Sequence, residues 1–209
     1  YTPRLEAIYA ERQIPIQLRT RLKGVDTQAK KVYLEQITQN ADQSQTITPV
    51  TQSYDFLHFT PPQTAPDFVV QSGLSWTEGP LAKEGWAMTD KHTLVHQKYT
   101  NIICLGDVAG IPTSKTSAAI RKQAPIAVAN LIARMEGKAP VARYNGYAAC
   151  PIITQYGKLL LCEFDYDKKP CTSFPFTLLD TSKELREGWW LKVYALKPLY
   201  FYGMLTGLA

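Results

Sequence analysis

An α/β fold is the class this sequence predicts, on three observations. A short continuous apolar run at 102–105 has the pattern of a strand buried on both faces. It ends in Gly106-Asp107, and "TSAAIRKQAPIAVANLIARMEG" then reads as a long helix. Ahead of both, segments that alternate apolar and polar residues read as strands.

The elements follow in order. "TPRLEAIYAERQ" places Leu5, Ile8, Tyr9 and Arg12 at helical spacing behind a Thr2-Pro3 start. "IPIQLRTRLKGVD" and "KKVYLEQIT" alternate as strands do, and polar "NADQSQ" breaks the pattern as a turn or loop. "SYDFLHFTPP" reads as a short apolar strand stopped by Pro61 and Pro62. The chain from there to about Lys98 carries Gly, Pro and Trp and reads as loop. In the long helix, Ala119, Ile120, Ala127, Leu131 and Met135 form the expected buried stripe, with a kink at Pro125 and a stop at Gly137. "YNGYAACPIITQYGKLLLCEFDYDKKPCTSFPF" suggests two strands and a loop. "ELREGWWLKVYALKPLYFYGMLTGLA" sets Trp and Tyr among Leu and Lys.

Composition narrows the function classes. With 209 residues the chain can hold one ordinary domain or parts of two. At 45% hydrophobic and 20% charged it is globular rather than disordered. The net charge of +5 comes from scattered Lys and Arg, so no nucleic-acid stripe is expected. An anionic cofactor or an anionic membrane surface suits the excess. No apolar run approaches the ~18 residues of a membrane span, and no signal-peptide pattern is visible. Because the first residue is Tyr1, the chain is expected to be a cut piece.

The cysteines Cys104, Cys150, Cys162 and Cys171 form no C-x-x-C pair and stand far in sequence from His58, His92 and His96, so no metal site is expected. His92 and His96 have i,i+4 spacing, but no metalloprotease-type Glu follows His92. Both are expected as surface polar residues.

The stretch "GDVAGIPTSKTSAAI" ends in Ser-Lys-Thr before the long helix, as a phosphate-binding loop does. Aligning Lys115-Thr116 with the end of G-x-x-x-x-G-K-[ST] puts Ser114 and Ala109 where the glycines belong. Gly110 is one residue out of register, and Pro112 removes a donor that a phosphate nest requires. That reading fails. A carboxylate such as Asp107 at a strand end instead suits the hydroxyls of a sugar or ribityl chain, and Gly106 permits close approach. The helix N-terminus and Lys115 then place positive charge where the anionic edge of a reduced flavin would be stabilised. A capping Asp and a solvated Lys fit the spacing equally well.

"GDVAGIPTSKTSAAIRKQAP", "YNGYAACPIITQYGKLLLCEFDY" and "SFPF", taken in order, resemble sulfide:quinone oxidoreductase, a two-dinucleotide-binding-domain flavoprotein family. "YDFLHFTPPQTAPD" resembles the second flavin-side motif of that family, with "FTPP" where relatives often have Ala-Thr-Gly. The resemblance covers nearly the whole chain and implies a partial FAD/NAD(P)-binding Rossmann-like fold. The family's G-x-G-x-x-G loop has no counterpart among the twelve glycines, so the sequence looks like roughly the C-terminal half. The implied organisation is the end of the second dinucleotide-binding-like domain at 1–62 and a returning segment of the FAD-binding domain at 63–140. A C-terminal region facing quinone and membrane, and carrying the redox cysteine, occupies 141–209.

The resemblance also implies roles. Gly106 and Asp107 would contact the FAD ribityl and phosphate region, Lys115 the flavin pyrimidine edge, and Thr60, Pro61 and Pro62 the cofactor's crossing between domains. Cys150 matches the downstream redox cysteine of a mechanism in which sulfide attacks a disulfide or sulfur bridge and two electrons pass through FAD to quinone. Thiolate attack requires access and a lowered pKa, for which the helix N-terminus and Lys115 are candidates. Cys104 and Cys162 are expected in the core. The tail residues Trp189, Trp190, Tyr194, Tyr200, Phe201 and Tyr202, interleaved with Lys192 and Lys197, fit a monotopic membrane contact that also walls a quinone site. The expected protein is therefore a peripheral membrane enzyme, with FAD incomplete or absent in this chain alone and the chain itself inactive and self-associating. Two alternatives stand beside it. One is a flavin-dependent NADH:quinone dehydrogenase relative, which needs no redox cysteine. The other is a non-catalytic membrane-surface fragment.

Overall fold

A computed structural model describes residues 1–174 and 176–208. Pro175, in the Ser-Phe-Pro-Phe stretch, and Ala209, at the end of the tail, lie outside the described residues. The fold is mixed α/β, with the chain divided into two compact units: Leu5–Pro62, and Tyr1–Arg4 together with Gln63–Ala209. Helix α1 spans Thr2–Glu11, and Ile8 is its buried residue.

The smaller unit is an antiparallel meander of β1 (Thr20–Asp26), β2 (Lys31–Gln39) and β3 (Gln45–Ser53) in the order β1-β2-β3. A bulge between Leu22 and Gly24 twists β1 against β2. The turn after β1 is tied by Asp26, whose Oδ1 accepts from the Gln28 and Ala29 amides at 3.0 and 2.8 Å. Two expectations are corrected here. The run from Ile14 does not extend into β1, because Arg19 takes φ 53° and breaks the extended backbone. Residues 54–62 of the strand expected at 53–62 are irregular, and only Ser53 is extended, as the last residue of the third strand, β3. Its Pro49 sits opposite Glu35 on an edge strand, where a missing N–H costs no ladder bond.

In the larger unit, short helix α2 (Asp67–Gln71) leads into loops that run to residue 116. These are pinned by single bridges, antiparallel at Ser75–Ala87, Thr89–His96 and Val95–Ile103 and parallel at Ala87–Ala109. The run at 102–105 is thus no ladder strand. Its partner segment is curled by Leu94 at φ 64°, so pairing stops at one bridge. Cys104 is nonetheless buried, in a core with Val69, Trp86, Ala87, Leu94, Ala109, Ile111, Ala127 and Tyr144.

Helix α3 spans Ser117–Met135, capped by Thr116, whose hydroxyl accepts from the Ala119 amide at 3.2 Å. It runs through Pro125 and ends before Gly137 at φ 72°. Its buried face is Ala119, Gln123, Ala127, Asn130 and Ala133, whereas Leu131 and Met135 are 44% and 79% exposed. The expected apolar stripe is therefore rotated. Small alanines let the helix sit close to the core, and two amides are buried because backbone groups saturate them. Gln123 Oε1 accepts from the Gly106 amide at 2.7 Å. Asn130 donates to the carbonyls of Thr93 and Ala142 at 2.8 and 3.0 Å and accepts from the Val141 and Ala142 amides, both at 2.9 Å.

β4 (Ala148–Gln155) and β5 (Lys158–Phe164) form an antiparallel hairpin about Tyr156-Gly157. The tail then begins with α4 (Arg186–Trp190) and winds on through π-helical turns at Leu191–Ala195 and Leu199–Met204. Among the described residues, no helix is long and apolar enough to cross a membrane.

Candidate functional site

The loop between Gly106 and α3 is shaped by three close contacts. Gly106 takes φ 69° and opens a 3-10 turn, Gly106–Val108. Gly110 has no room for a side chain, since a Cβ there would stand 2.5 Å from both the Ala87 carbonyl oxygen and the Trp76 ring. That approach lets the Gly110 amide donate to Ala87 O at 2.9 Å and Trp76 Nε1 donate to Gly110 O at 3.0 Å. Thr113 is then tied to the Gly146 carbonyl at 2.7 Å, which joins the loop to the segment entering β4.

Lys115 is held by its surroundings rather than waving in solvent. Its Nζ donates to the Ala109 carbonyl at 2.8 Å and lies 3.9 Å from the Trp86 ring centroid. Burial pulls its pKa down to about 8, and the Asp107 carboxylate opposes that shift. A cation in this state responds strongly to any anionic group brought beside it.

A cavity of about 530 Å³ opens next to Lys115. Trp86, Leu81 and Phe164 give it apolar walls, Thr113 and Ser114 bring hydroxyls, and Asp165 and Lys168 stand at another side. Ala148 of β4 also lines it. Beneath this wall, Glu163 of β5 is buried and fully partnered. It accepts from Tyr147 Oη at 2.6 Å, from the Ser173 amide at 3.1 Å and from the Ser173 hydroxyl. Burial first, and then Glu163, push the Tyr147 phenol up to about 12, so it acts as a donor.

The sequence-predicted residues are distributed as follows. Lys115 lines the cavity, and Gly106 and Asp107 form the turn that precedes its loop. Cys150 is exposed on β4, two residues from the lining residue Ala148. Thr60, Pro61 and Pro62 are exposed and belong to the smaller unit. The sequence reading missed Trp86, Phe164, Asp165 and Lys168, which only the fold brings to Lys115. It also misplaced His96, which is buried. Its Nδ1 accepts from the Lys98 and Tyr99 amides at 3.1 and 3.0 Å, leaving Nε2 to donate to Leu74 O at 2.8 Å. His92 is partly buried, with Nδ1 3.1 Å from the Tyr144 carbonyl.

No protein-family model matches the chain. Among curated proteins it is 34% identical over 208 residues to mitochondrial sulfide:quinone oxidoreductase of Mus musculus, covering 99% of this chain and 43% of that protein. The protein of the same name from Dictyostelium discoideum is 43% identical over 159 residues, 75% of this chain and 33% of that protein. That of Schizosaccharomyces pombe is 42% identical over 121 residues, 58% of this chain and 25% of that protein. The chain thus spans less than half the length of these relatives. A chain in the cryo-EM structure of the Tetrahymena thermophila mitochondrial ATP synthase F1Fo composite tetramer shares the fold. It has a TM-score of 0.68 at 24% identity, over 96% of this chain and 45% of that one.

Proposed function

Since the chain belongs to the sulfide:quinone oxidoreductase family, as a portion of the length such proteins have, we propose that it is the C-terminal part of a flavoprotein that oxidises sulfide and passes two electrons through FAD to a membrane quinone. The observation that carries this reading is the identity to the mouse protein across 99% of the chain. The Rossmann-like character of the parent, FAD dependence and Cys150 as a redox cysteine are parts of the same proposal.

The residues around Lys115 fit the ring portion of a flavin. The cavity volume falls in the range of small-molecule sites, about 300–1,000 Å³. Flat aromatic surface from Trp86 and Phe164, a lysine and two hydroxyls match a planar, partly polar ring. A bound flavin supplies two-electron carrier chemistry. The chain's own contribution is electrostatic and nucleophilic. Lys115 favours negative charge at the cavity wall, and Asp107 supports the charged form of Lys115. Cys150, exposed on β4, offers a sulfur that a soluble sulfur species can reach.

The tail supports a peripheral membrane location in the same reading. Trp190, Tyr194, Phe201 and Tyr202 are exposed around helical turns that carry Lys192 and Lys197. Exposed Ile14, Ile16, Leu18, Phe56 and Phe59 support self-association of the isolated chain.

The deciding experiment replaces Cys150 by Ser in the full-length protein and measures sulfide-dependent quinone reduction alongside the flavin absorbance. The reading expects normal flavin bands and a rate at least ~100-fold lower, in line with loss of a covalent-catalysis nucleophile. Sulfide oxidation that survives the substitution sinks it. Quinone reduction by NADH, unchanged in Cys150→Ser, would favour the NADH:quinone dehydrogenase alternative instead.

A further inference from the structure

A second cleft, of about 560 Å³, lies between the tip of the β4–β5 hairpin and the start of the tail. Two contacts fix its shape. Leu185 exchanges backbone bonds with Leu159 at 3.2 and 2.7 Å, which pins the chain entering α4 to β5. Gly188 then lets α4 sit directly on that strand, because a Cβ there would stand 2.5 Å from Leu159 Cδ1. Tyr156 at the hairpin turn meets Trp189 of α4, with ring centroids 5.1 Å apart. Trp190 and Tyr194, which also line the cleft, pair at 4.8 Å.

The charged groups lining this cleft are Lys158 and Arg186, and among the described residues no carboxylate lines it. Neither cation is in a salt bridge among the described residues. Glu184, the acid that feels the Lys158 charge, is already held by the Thr154 hydroxyl and by Arg4 at 2.6 Å. Glu187 follows Arg186 in α4, and adjacent residues of a helix do not face each other. Two such cations attract a phosphate, to which guanidinium and ammonium groups donate charge-assisted hydrogen bonds. Gln155 adds an amide able to bond headgroup hydroxyls. A free phosphate ion has no use for the rings. Trp and Tyr instead suit the depth of lipid headgroups, where one end is apolar and the other wet. The exposed Tyr200, Phe201 and Tyr202 follow in the same tail. We propose that this cleft holds the headgroup of an anionic phospholipid, with its phosphate on Lys158 and Arg186 and the start of its acyl chains against Trp189 and Trp190. This rests on the peripheral membrane reading and adds to it a bound lipid, where that reading needs only a surface.

The test uses the full-length protein and monomeric dihexanoyl phosphatidylglycerol, kept below its micelle concentration and titrated by calorimetry. Saturable binding to a single site is expected. Lys158→Gln with Arg186→Gln should weaken it roughly tenfold or more, the loss expected for a charge-assisted contact. Lys83→Gln with Lys98→Gln removes the same charge from two exposed loop positions and should leave binding within about twofold, because exposed charges away from the site are screened. Equal losses from the two pairs would overturn the proposal, since general electrostatics would then suffice. So would dihexanoyl phosphatidylcholine binding as tightly as the anionic lipid. Inorganic phosphate competing at the lipid's own concentration would also overturn it, by making this a site for the free ion. Arg186→Gln alone, at an exposed position, should weaken binding too and decides the matter where the double variant does not fold. Sedimentation with phosphatidylglycerol vesicles separates the two readings. Vesicle binding without a saturable monomer site overturns this proposal alone, whereas no vesicle binding at all overturns the membrane reading and the proposal together.

Discussion

The ammonium of Lys115 stands 3.9 Å from the centroid of the Trp86 ring. The indole covers one side of the charge, and the Ala109 carbonyl accepts a hydrogen bond from it at 2.8 Å. Burial nevertheless lowers the pKa of this lysine from 10.5 to about 8, against the Asp107 carboxylate, which raises it. The sign of the linkage follows. Between about pH 8 and 10.5 the unfolded chain holds a proton that the folded chain has released, so this residue adds stability as pH rises through that window. The Cε resonance of Lys115 in a ¹³C-lysine-labelled chain should titrate near 8. An anionic ligand seated in the cavity should move the midpoint back toward 10.5. A wild-type midpoint above 10 would refute the burial of this charge.

Gly110 is fixed by space, not by dihedral freedom. An added Cβ would meet the Ala87 carbonyl oxygen and the Trp76 ring, each at 2.5 Å. Neither neighbour can withdraw cheaply, because one is backbone and the other is hydrogen-bonded to Gly110 itself. Gly110→Ala should therefore cost about 1–3 kcal/mol, the usual range for overpacking. Urea unfolding monitored by tryptophan fluorescence measures it, and Trp76 reports the local change directly. A loss below about 0.5 kcal/mol would mean that the loop relaxes freely.

Asn130 and Leu131 make a matched pair on α3. Asn130 saturates four backbone groups of the chain at Thr93, Val141 and Ala142, while Leu131 points to solvent. Asn130→Ala should cost about 3 kcal/mol, since each buried group left without a partner costs on the order of 1–3 kcal/mol and water repairs only some. Leu131→Ala should stay within about 0.5 kcal/mol, as exposed substitutions do. Equal effects in chemical denaturation would restore the apolar stripe that the sequence suggests.

That contrast explains what could be read from the sequence. Helices α1 and α3, strand β2 and the β4–β5 hairpin were legible because periodicity and turn residues both mark them. The orientation of α3 was not, because hydrophobic spacing cannot reveal Gln123 and Asn130 buried by backbone bonds. His96 was misread for the same reason. The run at 102–105 was apolar because it is core. Four apolar residues carry no period that separates a strand from a buried loop. Strand β3 was hidden because its residues are mostly exposed and polar, with Val50 alone partly covered. Lys115 was legible from its loop, but its partner Trp86 and the cavity residues Phe164, Asp165 and Lys168 are assembled only by tertiary folding.

The tail offers a last test, of the membrane part of the proposed function. Trp190 is 62% and Tyr202 77% exposed, on turns that also carry Lys192 and Lys197. Aromatic rings at a lipid interface contribute through burial, and each lysine near an anionic bilayer contributes about 1 kcal/mol. Replacing both lysines by Gln should weaken binding to phosphatidylserine-containing vesicles by about 2 kcal/mol, or roughly 30-fold. It should also flatten the salt dependence, because screening acts on charge. Trp190→Ser with Tyr202→Ser should instead weaken binding to anionic and neutral vesicles alike. Sedimentation with sucrose-loaded vesicles separates the two effects. If the aromatic pair can be removed without loss on either vesicle, these rings serve an interface with protein, and the tail is no membrane contact.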